Sequence, residues 1–254
     1  MRECEIKIPL ASTAFSLEML YSLARLGAYL HDAREEIDLV LDTGDFAMRN
    51  AGLLLRYRRV KFNTDSRILV TLKVSPDATS QDRWFQEHAE IEFIGGDTEH
   101  ARQTSEIIRR EVSSRTGLTL PVLNPPGTLA EWWGRLAKSC GDLAVRSLVE
   151  KRRVILKGEL SGSSWEACLD LFPPPVGPYL EFETTSPHSL ELLLERIGVP
   201  ENVLDARTYG QIVGERTEAA TGKSSRVLVF ETTADEIGWL TSQYGASTTP
   251  NVDV

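Results

Sequence analysis

The sequence predicts an α+β protein built on an antiparallel β-barrel that is closed or nearly closed. Charged residues recur at alternate positions beside an apolar set in several segments, which is the period of a β-strand. Residues typical of turns lie between most of these segments, and residues with helical spacing lie between only a few of them. Strands joined by hairpins form antiparallel sheets, and a closed barrel buries the apolar faces of many such strands.

The first strand shows the pattern most clearly. Glu3, Glu5 and Lys7 point to one face of residues 1–10, whereas Cys4, Ile6 and Ile8 point to the other. Alone, this pattern is typical of a strand with one solvated face. Its return in later segments indicates a shared charged face.

Further elements follow from the N-terminal half of the chain. Ser16 is predicted to cap a helix that runs to about Leu30, and a turn cluster at residues 42–45 ends the next strand. The predicted strands are residues 35–41, 53–60, 68–74 and 84–93, with a hairpin at residues 63–66 and a helix over residues 98–115 that ends at Gly117.

The C-terminal half continues in the same way. A Pro-rich connection at residues 120–127 leads to a short helix with Trp132 and Trp133, which are predicted to pack between helices. Strands are predicted at residues 149–156, 165–172 and 179–184. A helix from Ser186 to near Gly198 and a last helix near Tyr209 follow them, and residues 226–231 suit an extra edge strand.

Composition excludes several classes of protein. The net charge of −9 argues against a general nucleic-acid or acidic-membrane surface. Cys4, Cys140 and Cys168 match no zinc spacing and are expected to be free thiols. No apolar run has the length of a membrane span and no signal-peptide pattern follows the N-terminus, so we expect a cytoplasmic protein.

The same-face charges form one large set. The acids are Glu3, Glu5, Glu90, Glu92, Asp170, Glu181 and Glu183, and the bases are Lys7, Arg56, Arg58, Lys73, Lys151, Arg153 and Arg207. If these residues faced solvent, the barrel would have an apolar lumen and its helices would lack a surface to pack on. A charged lumen uses both faces, although its desolvation cost requires water and paired charges.

A lumen of this kind suits two ligands together. Arg and Lys bind the oxygens of a polyphosphate, and carboxylates bind hard divalent cations such as Mg²⁺ or Mn²⁺. The predicted chemistry is attack at phosphorus, helped by metal-bound water and by charge neutralisation.

These residues resemble those of the CYTH superfamily, the triphosphate tunnel metalloenzymes. Glu3-Cys4-Glu5-Ile6-Lys7 is similar to the Glu-x-Glu-x-Lys signature of that family. The order of the later motifs adds specificity: Asp42-Thr43, the Gly-Leu-Leu-Leu-Arg-Tyr-Arg segment, Thr71-Leu72-Lys73, Glu90-x-Glu92, Lys151-x-Arg153, Asp170, Glu181-x-Glu183 and Arg207-Thr208-Tyr209. The resemblance covers roughly residues 1–213.

The resemblance implies an eight-stranded antiparallel tunnel with a charged lumen and helices packed outside. The tunnel domain would span residues 1–220 with a helical insertion at about 98–140, and residues 221–254 would be a partly disordered extension. One or two Mg²⁺ or Mn²⁺ ions would be held by the acids; one would orient the triphosphate and a second, held mainly by Glu3, Glu5, Glu181 or Glu183, would activate water. The seven bases would bind the triphosphate, with Glu5, Glu3, Lys7, Arg56 and Lys73 as the catalytic residues.

Two positions depart from the family pattern. His88 stands where the family usually has Arg, and it either contacts phosphate when protonated or packs beside the metal. Arg207 replaces a usual Lys and is expected to remain a phosphate ligand.

Three functions are consistent with the sequence. The first is hydrolysis of inorganic tripolyphosphate or of a small organic triphosphate such as thiamine triphosphate. The second is a class IV adenylyl cyclase that makes cyclic AMP and pyrophosphate, with Trp84 or Trp132 as candidates for stacking a ring. The third is a non-catalytic module that binds polyphosphate or a nucleotide. In each case the ligand is a small triphosphate, and the protein is expected to be a monomer or a homodimer without nucleic-acid or membrane partners.

Overall fold

The computed structural model describes residues 2–62, 65–75, 86–95, 98–120, 123, 143–223, 225, 227–231, 233 and 235. The strands are β1 (Arg2–Pro9), β2 (Tyr29–Asp42), β3 (Leu53–Phe62), β4 (Asp65–Val74), β5 (Gln86–Ile94), β6 (Ala144–Leu160), β7 (Ser163–Leu171), β8 (Pro178–Thr184) and β9 (Val227–Leu228). The helices are α1 (Thr13–Arg25), α2 (Ala47–Asn50), α3 (Glu99–Thr116), α4 (Pro187–Ile197) and α5 (Tyr209–Thr221), with a 3₁₀ turn at Glu201–Val203.

Eight of the strands close into a ring, which confirms the predicted barrel. Their order is β2-β3-β4-β5-β1-β8-β7-β6, and an additional β2–β6 pairing joins the two ends. All of these pairings are antiparallel. Closure leaves no free edge within the ring. The ninth strand, β9, adds to β6 in parallel.

The apolar faces of the strands lie outside the ring, under the helices. One buried cluster joins apolar residues of β2, β3, β4 and β5 to α3, and includes Leu55, Leu72 and Ile108. A second cluster joins β1, β7 and β8 to α1 and α4, and includes Ile6, Phe182 and Leu190. Because alternate residues of a strand point to opposite faces, the charged positions between them face the lumen.

The predicted helix over residues 16–30 was wrong at both ends. Ser12 caps α1, and its hydroxyl accepts the N–H of Phe15; Ser16 lies inside the first turn and donates its own hydroxyl to the Ser12 carbonyl. The helix stops at Arg25 because Gly27 takes a left-handed conformation (φ 79°). The chain from Tyr29 then pairs with β6.

Other boundaries were predicted well because their end signals are strong. Thr98 caps α3 and Gly117 ends it, and Ser186 and Gly198 do the same for α4. The extra strand predicted in residues 226–231 is present as the two-residue β9.

Several predictions fall outside the described residues. These are the short helix with Trp132 and Trp133, the start of the strand predicted from Trp84, Cys140, and the end of the chain after residue 235. Cys4 and Cys168 are buried free thiols. Within the described part of the chain, no helix has both the length and the apolar character needed to span a membrane.

Candidate active site in the barrel lumen

The charged side chains on the inner face form one network of ion pairs and hydrogen bonds, called here the lumen cluster. Its carboxylates are Glu3, Glu5, Glu36, Asp38, Glu90, Glu92, Asp170, Glu181 and Glu183, and its cations are Lys7, Arg56, Arg58, Lys73, Lys151 and Arg153. Some pairs join strands that are not neighbours, such as Lys73 on β4 with Glu5 on β1 at 2.9 Å. Such contacts cross the interior, so the predicted charged lumen is present.

Strand β1 supplies the centre of the cluster. The Lys7 ammonium lies 2.8 Å from a Glu5 carboxylate oxygen and 3.2 Å from a Glu181 oxygen. Burial alone would lower the pKa of Lys7, but these two carboxylates raise it above its ordinary value. Lys7 is therefore a cation throughout the physiological pH range.

A second group lies on β6 and β7. Arg153 donates to both Asp170 oxygens and also to Glu181. Lys151 lies 3.3 Å from Asp170 and 3.5 Å from Glu36. Each of these cations is thus already neutralised by carboxylates of the protein.

Glu36 and Asp38 on β2 belong to the site, although sequence reasoning did not include them. Arg58 donates to Asp38 through Nε at 2.5 Å and Nη2 at 2.8 Å, and its Nη1 lies 3.2 Å from Glu36. Burial opposes the charged form of Glu36, but Arg58 and the other surrounding cations hold its pKa well below its usual range. The signal was present in the alternation of Glu36 and Asp38 with Ile37 and Leu39.

The two departures from the family pattern lie in different places. His88 is buried, with Nε2 3.1 Å from a Glu3 oxygen and 3.7 Å from a Glu5 oxygen. It therefore contacts Glu3 and Glu5, two of the predicted metal ligands. Arg207 instead pairs with Asp205 and Glu215 at the surface, beside a cleft of about 710 Å³ that Phe15 also lines. None of its ion pairs within the described chain reaches the lumen cluster.

Three carboxylates provide a candidate metal centre. Glu5, Glu181 and Glu183 each offer an oxygen, and these atoms lie within 4.8 Å of one another. Burial and the adjacent Glu181 charge raise the pKa of Glu183 to about 8. Burial also opposes the charge of Glu181, but Lys7 and Arg153 lower its pKa to about 2.

These residues fit a divalent cation. An all-carboxylate oxygen set is the donor chemistry that Mg²⁺ and Mn²⁺ prefer. The pKa of Glu183 is raised because burial and the Glu181 charge disfavour a further negative charge there, and a bound divalent cation would offset that repulsion. Glu5, Glu181 and Glu183 would hold such an ion, with Glu3 and His88 beside them.

The lumen also has a donor that suits an anion. The Nε of Arg56 is buried and is one of the few such side-chain atoms in the described residues without a hydrogen-bond partner. Its Nη2 lies 3.3 Å from Glu90. A buried guanidinium N–H without an acceptor carries a desolvation cost, which a phosphate oxygen would offset.

Glu90 and Glu92 line the wall formed by β5. Glu90 faces Lys73 across the β4–β5 ladder, and Glu92 accepts the Thr71 hydroxyl at 2.6 Å. These contacts place both residues on the lumen face, but outside the group of three carboxylates that share one candidate ion.

Comparisons with known proteins found solved structures whose fold is similar to that of this chain. No protein-family model matches the chain, and no curated protein matches its sequence. A "putative adenylate cyclase" from Vibrio parahaemolyticus is 16% identical with a TM-score of 0.49, covering 84% of this chain and 97% of that one. A conserved hypothetical protein from Pyrococcus furiosus is 19% identical with a TM-score of 0.49, covering 83% and 99%.

A third solved structure is a "putative adenylyl cyclase" from Hippeastrum, described as having a dominant triphosphatase activity. It is 16% identical with a TM-score of 0.49, and the match covers 88% of this chain and 97% of that one. At these identities and scores, the likeness carries no argument about the activity of this chain.

Proposed function

We propose that this chain is a triphosphate tunnel metalloenzyme that hydrolyses a small triphosphate with a divalent cation. One observation carries the proposal: the candidate metal ligands Glu5 and Glu181 are in direct ion pairs with the candidate phosphate ligands Lys7 and Arg153. Metal and polyphosphate would therefore bind side by side in one buried lumen.

The residues have complementary roles in this proposal. Lys7, Lys73, Arg56 and Arg153 would bind phosphate oxygens and stabilise the negative charge of the transition state. Glu5, Glu181 and Glu183 would hold a divalent cation, Mg²⁺ or Mn²⁺, which when bound supplies an acidified water and neutralises phosphate charge.

The reaction balances without any other reagent. Water adds to a terminal phosphorus, the P–O bond to the bridging oxygen breaks, and orthophosphate leaves together with a diphosphate. The carboxylates on the lumen wall accept the proton that the water loses. Inorganic tripolyphosphate and thiamine triphosphate are the substrates to test first.

A product assay tests the proposal. The purified protein is incubated with Mg²⁺ or Mn²⁺ and, in parallel, with tripolyphosphate, thiamine triphosphate and ATP. Orthophosphate release is the expected result. Cyclic AMP with pyrophosphate would instead support a class IV adenylyl cyclase, and binding without turnover under either metal would support a non-catalytic module.

A matched pair of variants links the activity to the lumen. Glu5→Gln removes a carboxylate that pairs with Lys7 and Lys73, and we expect kcat to fall at least 100-fold, on the order of losing one electrostatic catalytic contact. Glu191→Gln, on the exposed face of α4, should retain full activity. Full activity in Glu5→Gln with an intact fold would contradict the assignment.

A further inference from the structure

We infer that Tyr209 closes one end of the lumen and thereby limits the length of the polyphosphate chain that the site accepts. This inference rests on the proposed function, because it concerns which chain fits the same lumen. It assigns a role to a residue that is not one of the same-face charges.

The charged face of the barrel gives way to apolar residues at one end. Val149 precedes Lys151 by two positions on β6, Phe172 follows Asp170 by two, and Tyr179 precedes Glu181 by two. By strand alternation Val149 and Tyr179 continue the inward face, and Phe172 lies directly after the end of β7. They form one buried cluster with Ile212 and Val213 of α5.

Tyr209 lies between this apolar cluster and the charged residues. Its hydroxyl donates to Asp170 at 2.7 Å, and its ring centroid lies 4.7 Å from the Lys151 ammonium and 5.1 Å from that of Lys7. On its other side the ring contacts Phe172, with centroids 4.7 Å apart. Two candidate phosphate ligands thus face the aromatic ring that ends the lumen.

Several contacts fix the position of the tyrosine at the start of α5. Thr208 and Gln211 form a capping box around it. Further along the helix, the Thr217 hydroxyl bonds to both the N–H and the carbonyl of Ser225, and Leu228 of β9 packs on Ile212. Tyr209 is therefore part of a packed wall.

The exposure of the lumen cluster shows which end is open. Lys7 and Lys151 are 1% and 2% exposed at the side chain, and Asp170 is not exposed. At the other end, Lys73, Glu3 and Glu183 are 17%, 21% and 23% exposed. A linear polyphosphate therefore enters past Glu3 and Glu183, and its leading phosphoryl group stops at Lys7, Lys151 and Tyr209.

The phenol is suited to this position because it stays neutral. A tyrosine phenol carries no charge near neutral pH. A neutral ring adds no negative charge beside an incoming phosphate. A polyphosphate that is longer than the path from the open end to Tyr209 would leave phosphoryl units outside the lumen. Those units would not contact the cations of the lumen cluster.

The test compares chain-length selectivity among variants. Tyr209→Ala removes the ring, Tyr209→Phe removes only the hydroxyl, and Tyr21→Ala, at a side chain exposed on α1, is the control. With Mg²⁺, kcat/KM is measured for tripolyphosphate and for tetrapolyphosphate. We expect the tetra-to-tri ratio to rise at least tenfold in Tyr209→Ala and to stay within twofold in Tyr209→Phe and in Tyr21→Ala.

An unchanged ratio in folded Tyr209→Ala would overturn the inference. If that variant does not fold, Tyr209→Leu, which keeps apolar packing but shortens the side chain, replaces it with the same expected direction. If the wild-type protein hydrolyses neither compound, the proposed function fails. The length limit is then read from calorimetry, as the ratio of tetrapolyphosphate to tripolyphosphate affinity in the presence of Mg²⁺, which the inference predicts to rise in Tyr209→Ala.

Discussion

Arg153 and Asp170 face each other across β6 and β7 and form a two-point ion pair, with Nε–Oδ1 and Nη2–Oδ2 distances of 2.6 Å each. Asp170 also accepts the Tyr209 hydroxyl and pairs with Lys151. It is fully buried. One carboxylate therefore forms ion pairs with two cations and a hydrogen bond with Tyr209.

Replacing this carboxylate should weaken the fold. Asp170→Asn leaves Arg153 and Lys151 with less compensating charge in a buried site, and such losses cost about 3–5 kcal/mol of unfolding free energy. Urea denaturation of the metal-free protein measures the change. Glu166→Gln, which removes the half-exposed partner of Lys157, should cost less than about 1 kcal/mol. Equal losses of unfolding free energy in the two variants would contradict the view that the Asp170 contacts stabilise the fold.

Metal should be required for tight binding of triphosphate. In the metal-free lumen, Lys7, Lys73 and Arg153 are paired with carboxylates, and among the described lumen residues the carboxylates outnumber the cations. A polyanion would meet net negative charge there. Calorimetry should show tripolyphosphate binding at least tenfold weaker in chelator than with Ca²⁺ or Mg²⁺. Equal affinity in both conditions would show that the cations are free without metal.

Two neighbouring glutamates on β2, one buried and one exposed, provide a test variant and its matched control. Glu36 is fully buried among Arg34, Arg58 and Lys151, whereas Glu35 points outward and is 45% exposed at its side chain. Glu36→Gln should lower the unfolding free energy by about 3–5 kcal/mol and should strengthen metal-free tripolyphosphate binding, because it releases cations. Glu35→Gln should change neither measurement. Weaker metal-free binding in Glu36→Gln would contradict this view of the network.

The stability of the metal-free protein should depend on the protonation of Glu183. Its pKa is raised from 4.5 to about 8, so between these values the folded state holds a proton that the unfolded state lacks. Stability therefore falls as pH rises through this window, with a limiting slope of about 1.4 kcal/mol per pH unit, and levels off above it. Thermal unfolding in chelator at several pH values measures the slope, and Glu183→Gln should flatten it. If stability instead rose between these pH values, and if Glu183→Gln abolished that rise, the raised pKa of Glu183 would be contradicted.

Sequence periodicity predicted the faces of the strands but not the partners of the side chains. Glu3, Glu5 and Lys7 were placed on one face by alternation, and they share the lumen. That Lys73 reaches Glu5 depends on the strand order, which places β4 and β1 on either side of β5 with their charged faces toward one lumen. Register and closure are non-local properties, so alternation within one strand does not contain them.

The missed residues have a similar explanation. Glu36 and Asp38 follow the strand period as well as Glu90 and Glu92 do, but alternation within β2 does not show that Arg58 and Lys151 surround Glu36. Arg207 was grouped with the lumen bases by its position in a motif. Its carboxylate partners Asp205 and Glu215 hold it at the surface, and a local motif does not reveal such competition. The domain boundaries at residues 98, 140 and 220 remain predictions.

The position of β1 in the ring constrains how the chain can fold. This strand precedes the other strands of the ring in the sequence, yet it lies between β5 and β8, and its longer ladder, from Cys4 to Pro9, is with β8. The ring therefore cannot close on a nascent chain until residues 178–184 have been synthesised. Until then, the backbone N–H and C=O groups along one edge of β1 have no strand partner. Closure of the ring is therefore a late and non-local folding step. A fragment that stops before β8 lacks the strand that joins β1 to β7, so it cannot complete the barrel.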